Sequence, residues 1–359
     1  MASILREPVS GPSVWRGDDF VADRSWDYRL DDGHVAELGE ALLEVKKRDL
    51  GLIDITAADF PLPTLSGLLA NIGDDICQGR GFAMLRGFPV QRYDPEDLER
   101  MYWGLCAHIG TGRSQNGETG FIHYVTTGER RPTQGSRGVG FPRESPLHVD
   151  LTDVVSLLCV RQAPDDPPSR LASSITVYNE LLKRRPDVLH RLYDGFEWDR
   201  MNEHGPGETP ASGYRVPMFS NAGGVLSCRY NRTWIRYAYD RNNVPMSAED
   251  STILDLVDDI ARETCFEFQF QDGDIQFCNN YTVLHGRAAH NTEEEDSRRR
   301  LLLRIWIDIP KIRAFTDEAL IRYGIVCHGQ LGWTADDVRA GRNLHPRPRR
   351  ADGAVAMEV

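Results

Sequence analysis

Two short segments constrain this chain most: Leu147-His148-Val149-Asp150 and, far downstream, Leu284-His285-Gly286. In extended backbone His148 and Asp150 stand two apart, so their side chains leave the same face. A ring nitrogen and a carboxylate oxygen placed that way can take adjacent positions around one divalent ion. A histidine from a distant strand, His285, can supply the third. A chain that unites these three residues must lay strands from far-apart segments against each other.

The surrounding pattern supplies such strands. Gly81 to Val90 is an apolar run bounded by glycine, and Val154 to Val160 is a second buried strand. Phe266, Phe268 and Phe270 alternate with polar residues, and the turn Asp272-Gly-Asp274 leads into Ile275 to Cys278. A final strand runs from Arg300 to Ile307 with Arg300, Leu302, Arg304 and Trp306 on one face. A hairpin is expected between 214–219 and 225–230, joined through Asn221-Ala-Gly-Gly224.

Helical spacing covers Val35 to Lys47 and Leu65 to Gln78, the latter with Thr64 as N-cap. Asp94-Pro95 opens a third helix that ends near Gly110. Ile175 to Tyr193 reads as helix broken at Pro186, and Ser247 caps another that runs to Glu263. Residues 1–30 form an arm anchored by Trp15 and Trp26, 31–335 one domain, and 336–359 a flexible tail. Within the domain, residues 113–146 are rich in Gly, Ser, Thr, Arg and Pro and end directly on the His-x-Asp pair, which suits a cover over the site. Helices gather early and strands flank both histidines, so two facing sheets with the metal at one mouth are expected.

Composition narrows the partners. The net charge of −12 leaves no basic excess to displace counterions from phosphate, which argues against nucleic acid. No apolar run approaches the roughly 20 residues that span a bilayer, and the N-terminus lacks the apolar core of a signal peptide. Seven scattered cysteines without a C-x-x-C pair read as reduced thiols. A cytoplasmic protein acting on a small molecule is expected, with room for a homo-oligomer.

Two histidines and a carboxylate on one triangular face leave open positions opposite, an arrangement that suits non-haem Fe(II) oxygenases. Such an ion needs a two-electron donor to activate O2. A 2-oxo acid can chelate it through the keto and adjoining carboxylate oxygens, and its far carboxylate then needs a planar cationic fork. Arg300 and Arg304, four apart amid Leu301, Leu302, Leu303, Ile305 and Trp306, can offer one, whereas Arg298 and Arg299 read as a solvated patch. His290 is a rival for the third ligand position.

These segments, with Gly273-Asp-Ile-Gln-Phe277, Asn280, Leu284-His285-Gly286-Arg287 and Arg299-Arg300-Leu-Leu-Leu-Arg304, resemble the TauD/TfdA family of Fe(II)/2-oxoglutarate-dependent oxygenases over roughly residues 65 to 310. The resemblance implies a mainly β fold, a double-stranded β-helix (jelly roll) with helices packed on one side. It implies His148, Asp150 and His285 as iron ligands, with 2-oxoglutarate and O2 as co-substrates. Arg300 matches the arginine that clamps the distal carboxylate of 2-oxoglutarate. Ser169 falls where the family often has a Thr or Ser on that carboxylate, although Asp165-Asp-Pro-Pro168 replaces the usual glycine pair before it. Arg304 matches a position that in some members binds an acidic group of the substrate, and which arginine does which task stays open. Asn116 sits where members often line the substrate pocket. Halogenating relatives lack the carboxylate, so Asp150 points to hydroxylation, desaturation or cyclisation of a small carboxylate-bearing metabolite.

One alternative is a zinc-dependent hydrolase or lyase on the same three ligands. It needs a general base, which no His-Glu-x-x-His motif supplies. A non-catalytic jelly-roll binding module would have no use for three ligands and an arginine.

Overall fold

The computed structural model describes residues 4–115, 120–127, 140–201, 209–310, 312–314 and 333–341. The N-terminal arm is pinned by aromatic packing. Trp15 and Trp26 are buried, and Trp15, Phe20 and Phe82 meet edge to face with centroids 5.1–5.3 Å apart. The short strand β1 (Asp27–Arg29) then pairs in parallel with β2 (Phe82–Arg86).

Three helices follow from local signals. In α1 (Asp32–Lys47) the Asp31 carboxylate accepts from the His34 N–H at 2.8 Å, and Leu38, Ala41, Leu42 and Val45 form the buried stripe. In α3 (Pro95–Cys106) Asp94 accepts from the Asp97 N–H, with Pro95 in the first turn. It stops at Cys106, before Gly110. The cap of α2 (Leu65–Cys77) departs from expectation, because the Thr64 side chain caps nothing. The Glu37 carboxylate from α1 accepts instead from the Thr64 and Leu65 N–H groups at 2.8 and 2.9 Å, a cap supplied from 27 residues away.

The strands form two main sheets. The larger has seven strands in the order β1-β2-β11-β6-β13-β3, with β4 also on β13. Here β3 is Thr111–Arg113, β4 Ile122–Val125, β6 Val154–Arg161, β11 Ile275–Asn279 and β13 Leu301–Asp308. The smaller is β10-β7-β12-β5, made of Phe266–Phe268, Ser169–Ser173, Val283–Arg287 and Ser145–His148. All pairings but the first are antiparallel.

Alternation along each strand divides the core. Leu303, Ile305 and Ile307 of β13 join α1 to α3 in one apolar cluster, as do Val154 and Leu158 of β6. Leu302 and Trp306 join the smaller sheet in the other, beside Val155 and Cys159. The two sheets therefore share an interior, a jelly-roll core that is not closed into a barrel. Helices α4 (Ser174–Arg184) and α7 (Ala248–Thr264) pack behind the smaller sheet, and Pro186 separates α4 from α5 (Leu189–Asp194).

The hairpin is present, with its second strand β9 (Val225–Cys228) inside the expected range and its first, β8 (Phe219–Ala222), further along than expected. Gly223 and Gly224, with φ of 62° and 94°, are the pair that can turn there, so the strands end at them. Across the expected boundary between domain and tail, Ala335–Arg339 form a short helix, α8, with a Thr334–Asp337 capping box. Among the elements without forewarning are β7 and α6 (Arg232–Arg241), which buries Ile235 and Ala238. Among the described residues no helix is long and apolar enough to cross a membrane.

Candidate active site

His148 ends β5 and His285 lies in β12, and the two are direct cross-strand partners. Their ring centroids are 4.5 Å apart. Asp150 lies beyond the end of β5, not on the strand as its spacing suggested. Tertiary bonds place it instead: its N–H donates to Asn280 Oδ1 at 2.9 Å, and the neighbouring Val149 N–H donates to the Tyr230 carbonyl. His148 Nε2 and His285 Nε2 stand 4.0 and 3.9 Å from the Asp150 carboxylate. One ligand atom from each of the three residues falls within 4.8 Å of the others. His290 does not join them, and its ring nitrogen bonds the Asn291 carbonyl.

The protonation states suit a cation. His148 Nδ1 lies 2.7 Å from the Pro146 carbonyl, which can hold the proton there and leave Nε2 free to ligate. Burial, together with the neighbouring His148, lowers His285 to about 3, so it stays a neutral imidazole. Burial alone would raise Asp150, but the charge of Arg304, reinforced by the hydrogen bond from Trp306, outweighs it. Its carboxyl therefore sits well below the usual range. Arg304 Nη1 donates to Asp150 Oδ2 at 3.1 Å and Trp306 Nε1 donates to the same oxygen at 2.9 Å. Two imidazoles and an ionised carboxylate within one small volume are a donor set that Fe(II) accepts, and the outer partners Arg304, Trp306 and Asn280 orient it.

A cavity of about 640 Å³ opens on the two histidines and on the inward face of β13. Arg300, Leu302 and Arg304 all line it, as alternation predicted. The two arginines have different surroundings. Arg304 is held on both ends by Gln115, whose Oε1 accepts from Arg304 Nε at 2.7 Å and whose Nε2 donates to the Arg304 carbonyl at 2.8 Å. Arg300 is buried to 5% exposure, its Nε on Gln162 Oε1 at 2.8 Å and its guanidinium 5.9 Å from the centre of the Phe270 ring. Burial lowers its pKa to about 10, and among the described residues no carboxylate lies within ion-pair distance. A desolvated guanidinium facing a cavity calls for an anion from outside the chain.

Ser169, on β7, is buried and lines the same cavity opposite Arg287 of β12. Asn116 lies outside the described residues. So does part of the segment expected to cover the site, of which 113–115, 120–127 and 140–146 are described. Arg287 grips that segment where it enters β5, donating from Nη2 to the Phe141 carbonyl at 2.6 Å. Sequence reading had assigned no task to Gln115, Gln162, Asn280 or Trp306. Two of them carried a signal: Trp306 in its shared face with the arginines, and Asn280 in its place in the motif shared with the family.

The sequence matches the family described as taurine catabolism dioxygenase TauD, TfdA family, over residues 46–306. It is 31% identical over 336 residues to FR-33289 synthase of Streptomyces rubellomurinus, covering 90% of this chain and 98% of that protein. It is 29% identical to taurine hydroxylase-like protein SAT17 of Stachybotrys chartarum, covering 84% of this chain and 80% of that one. In fold it is similar to an asparagine oxygenase solved with Fe(II), 2S,3S-3-hydroxyasparagine and succinate. The TM-score there is 0.61 at 16% identity, over 93% of this chain and all of the other. The non-haem iron oxygenase OrfP, solved with Fe and alpha-ketoglutaric acid, gives a TM-score of 0.56 at 16% identity over 79% and 94%.

Proposed function

The chain belongs to the TauD/TfdA family of non-haem Fe(II)/2-oxoglutarate-dependent dioxygenases, and from that premise we propose that it hydroxylates a C–H bond of a small anionic metabolite. The observation that carries this reading is the convergence of His148, Asp150 and His285 beside Arg300, a buried arginine without an acid partner among the described residues. Membership of the family removes the zinc hydrolase alternative. The hydroxylated amino acids bound beside succinate in asparagine oxygenase and in OrfP support hydroxylation over other outcomes.

In this reading His148, Asp150 and His285 hold the iron. When bound, Fe(II) with 2-oxoglutarate and O2 supplies the oxidising power to break a substrate C–H bond, and 2-oxoglutarate leaves as succinate and CO2. The chain does the rest. Arg300 takes the distal carboxylate of 2-oxoglutarate in its planar fork, with the Ser169 hydroxyl beside it, and Gln162 sets the direction of the fork. Leu157, Leu302 and Phe270 line the cavity and keep water from that end. Arg304 and Trp306 hold the Asp150 carboxylate in its ionised, ligating orientation. Arg304 thus serves the iron site rather than an incoming acid.

The test uses protein purified without oxygen or a nickel column, supplied with Fe(II), ascorbate and 2-oxoglutarate. Wild type is expected to consume O2 and form succinate, and His148→Ala to lose both together with stoichiometric iron. Undiminished succinate formation by that variant would refute the ligand assignment.

A further inference from the structure

The cavity carries more cation than this chemistry uses. Arg143, Arg232, Arg236, Arg287, Arg300 and Arg304 line it, against a single lining acid among the described residues, Glu144, in a chain of net charge −12. Most of these groups are already engaged. Arg300 faces the co-substrate, and Arg304 is on Asp150. Arg287 is on main-chain carbonyls, and Arg232 pairs with Asp255 and Asp258. Glu144 is taken by Arg170 at 2.8 Å.

Arg143 and Arg236 remain. Among the described residues neither has a carboxylate within ion-pair distance, and each guanidinium rests on a ring that also lines the cavity. Arg143 lies 5.1 Å from the centre of Phe141, and Arg236 lies 5.4 Å from that of Tyr237. A guanidinium stacked on a ring is steadied by the ring's face, while its in-plane N–H groups stay available to an anion. Each is also carried by an anchored element. Arg143 belongs to the segment gripped by Arg287, and Arg236 to α6, capped by the Asn231 side chain on the Trp234 N–H. Their summed charge draws anions toward the cavity mouth.

We infer that Arg143 and Arg236 form the anion subsite for the substrate, a small molecule whose carboxylate, sulfonate or phosphoryl group they bind. The inference rests on the oxygenase reading of the cavity and moves the substrate's acidic group away from Arg304, the residue that the sequence pattern offered. It makes Arg143 and Arg236 specificity-determining residues and leaves the oxidation itself to the iron side of the cavity.

The experiment is anaerobic calorimetry on the Fe(II)- and 2-oxoglutarate-loaded protein, titrated with butanoate, propane-1-sulfonate, propylphosphonate and neutral butanamide. The acids are expected to bind more tightly than the amide, and their ranking identifies the oxyanion. In the double variant Arg143→Gln/Arg236→Gln the Kd of the preferred acid rises roughly tenfold or more, as loss of charge-assisted bidentate contacts requires. The double lysine variant, which keeps charge but loses the forks, falls between. Arg92→Gln, outside the cavity lining, removes one positive charge and leaves that Kd within about twofold, since a distant exposed charge is screened. Equal acid binding in wild type and both double variants, or no preference for acids over butanamide, overturns the inference. Failure of the oxygenase reading shows up separately, as absence of 2-oxoglutarate binding by wild type.

Discussion

Arg300, immediately before β13, and Arg304, on it, line one cavity four residues apart, yet their neighbours give them different work. Arg304 meets a carboxylate inside the chain, whereas among the described residues Arg300 meets Gln162 and a ring but no carboxylate, which leaves its fork for an anion from solution. Replacing Arg300 by lysine keeps the charge and removes the fork. The expected result is a KM for 2-oxoglutarate raised about 10- to 100-fold, in line with a lost bidentate contact, while kcat falls less. Steady-state kinetics with 2-oxoglutarate varied at saturating substrate reads this directly, and an unchanged KM would assign the co-substrate to another cation. That 300 and 304 share a face was legible in the alternation of apolar residues. Which of them was already engaged was not, because the deciding partners, Asp150 and Gln115, lie 154 and 189 positions away.

At the scale of elements, the spacing of the two histidines is the spacing of β5 and β12. Gly286 keeps those strands close, since a Cβ there would stand 2.7 Å from the Ser145 carbonyl oxygen and 3.1 Å from the Leu147 nitrogen. Gly286→Ala must push β5 outward, and Fe(II) affinity is expected to fall about tenfold or more, the size typical when support around metal ligands is lost. Iron titration of the anaerobic protein measures it. The cap of α2 gives a second element-scale prediction. Glu37→Ala strips the acceptor from the Thr64 and Leu65 N–H groups and should cost about 1–2 kcal/mol in urea unfolding. Glu37→Gln, which keeps an acceptor, should recover part of it. Elements with strong local signals were legible, among them α1, α3, β6 and β13. Those that were missed lack an apolar period: β7 reads Ser-Arg-Leu-Ala-Ser, and α6 shows one buried stripe of two residues.

Across the whole molecule, the arm, the larger sheet and the turn before β11 meet at a buried group in which Arg86 bonds both Asp27 and Asp274. Burial pushes Asp274 up to about 6, opposed by hydrogen bonding from Gln271 and by Arg86 and reinforced by Asp27. A folded-state pKa above the ordinary value of 3.8 means that the folded protein holds this proton more tightly than the unfolded one. The corresponding stability is fully present below about 4 and is lost as pH rises through about 6, on the order of 1–3 kcal/mol. Thermal melts from pH 4 to pH 7 should therefore show wild type losing stability relative to Asp274→Asn, and parallel curves would contradict it. What the sequence determined alone is what local chemistry can encode. It set the strand alternation that faces Arg300, Leu302, Arg304 and Trp306 inward, the helix caps at Asp31, Asp94 and Ser247, and the three residues with ligand chemistry. Only the tertiary structure decided that Asp150 is aimed by Asn280, that Arg304 is bound to Asp150, that Glu37 caps α2, and that α6 walls the cavity. Each of these is a bond or contact between residues far apart in the chain, where no periodicity in the sequence carries information about the partner.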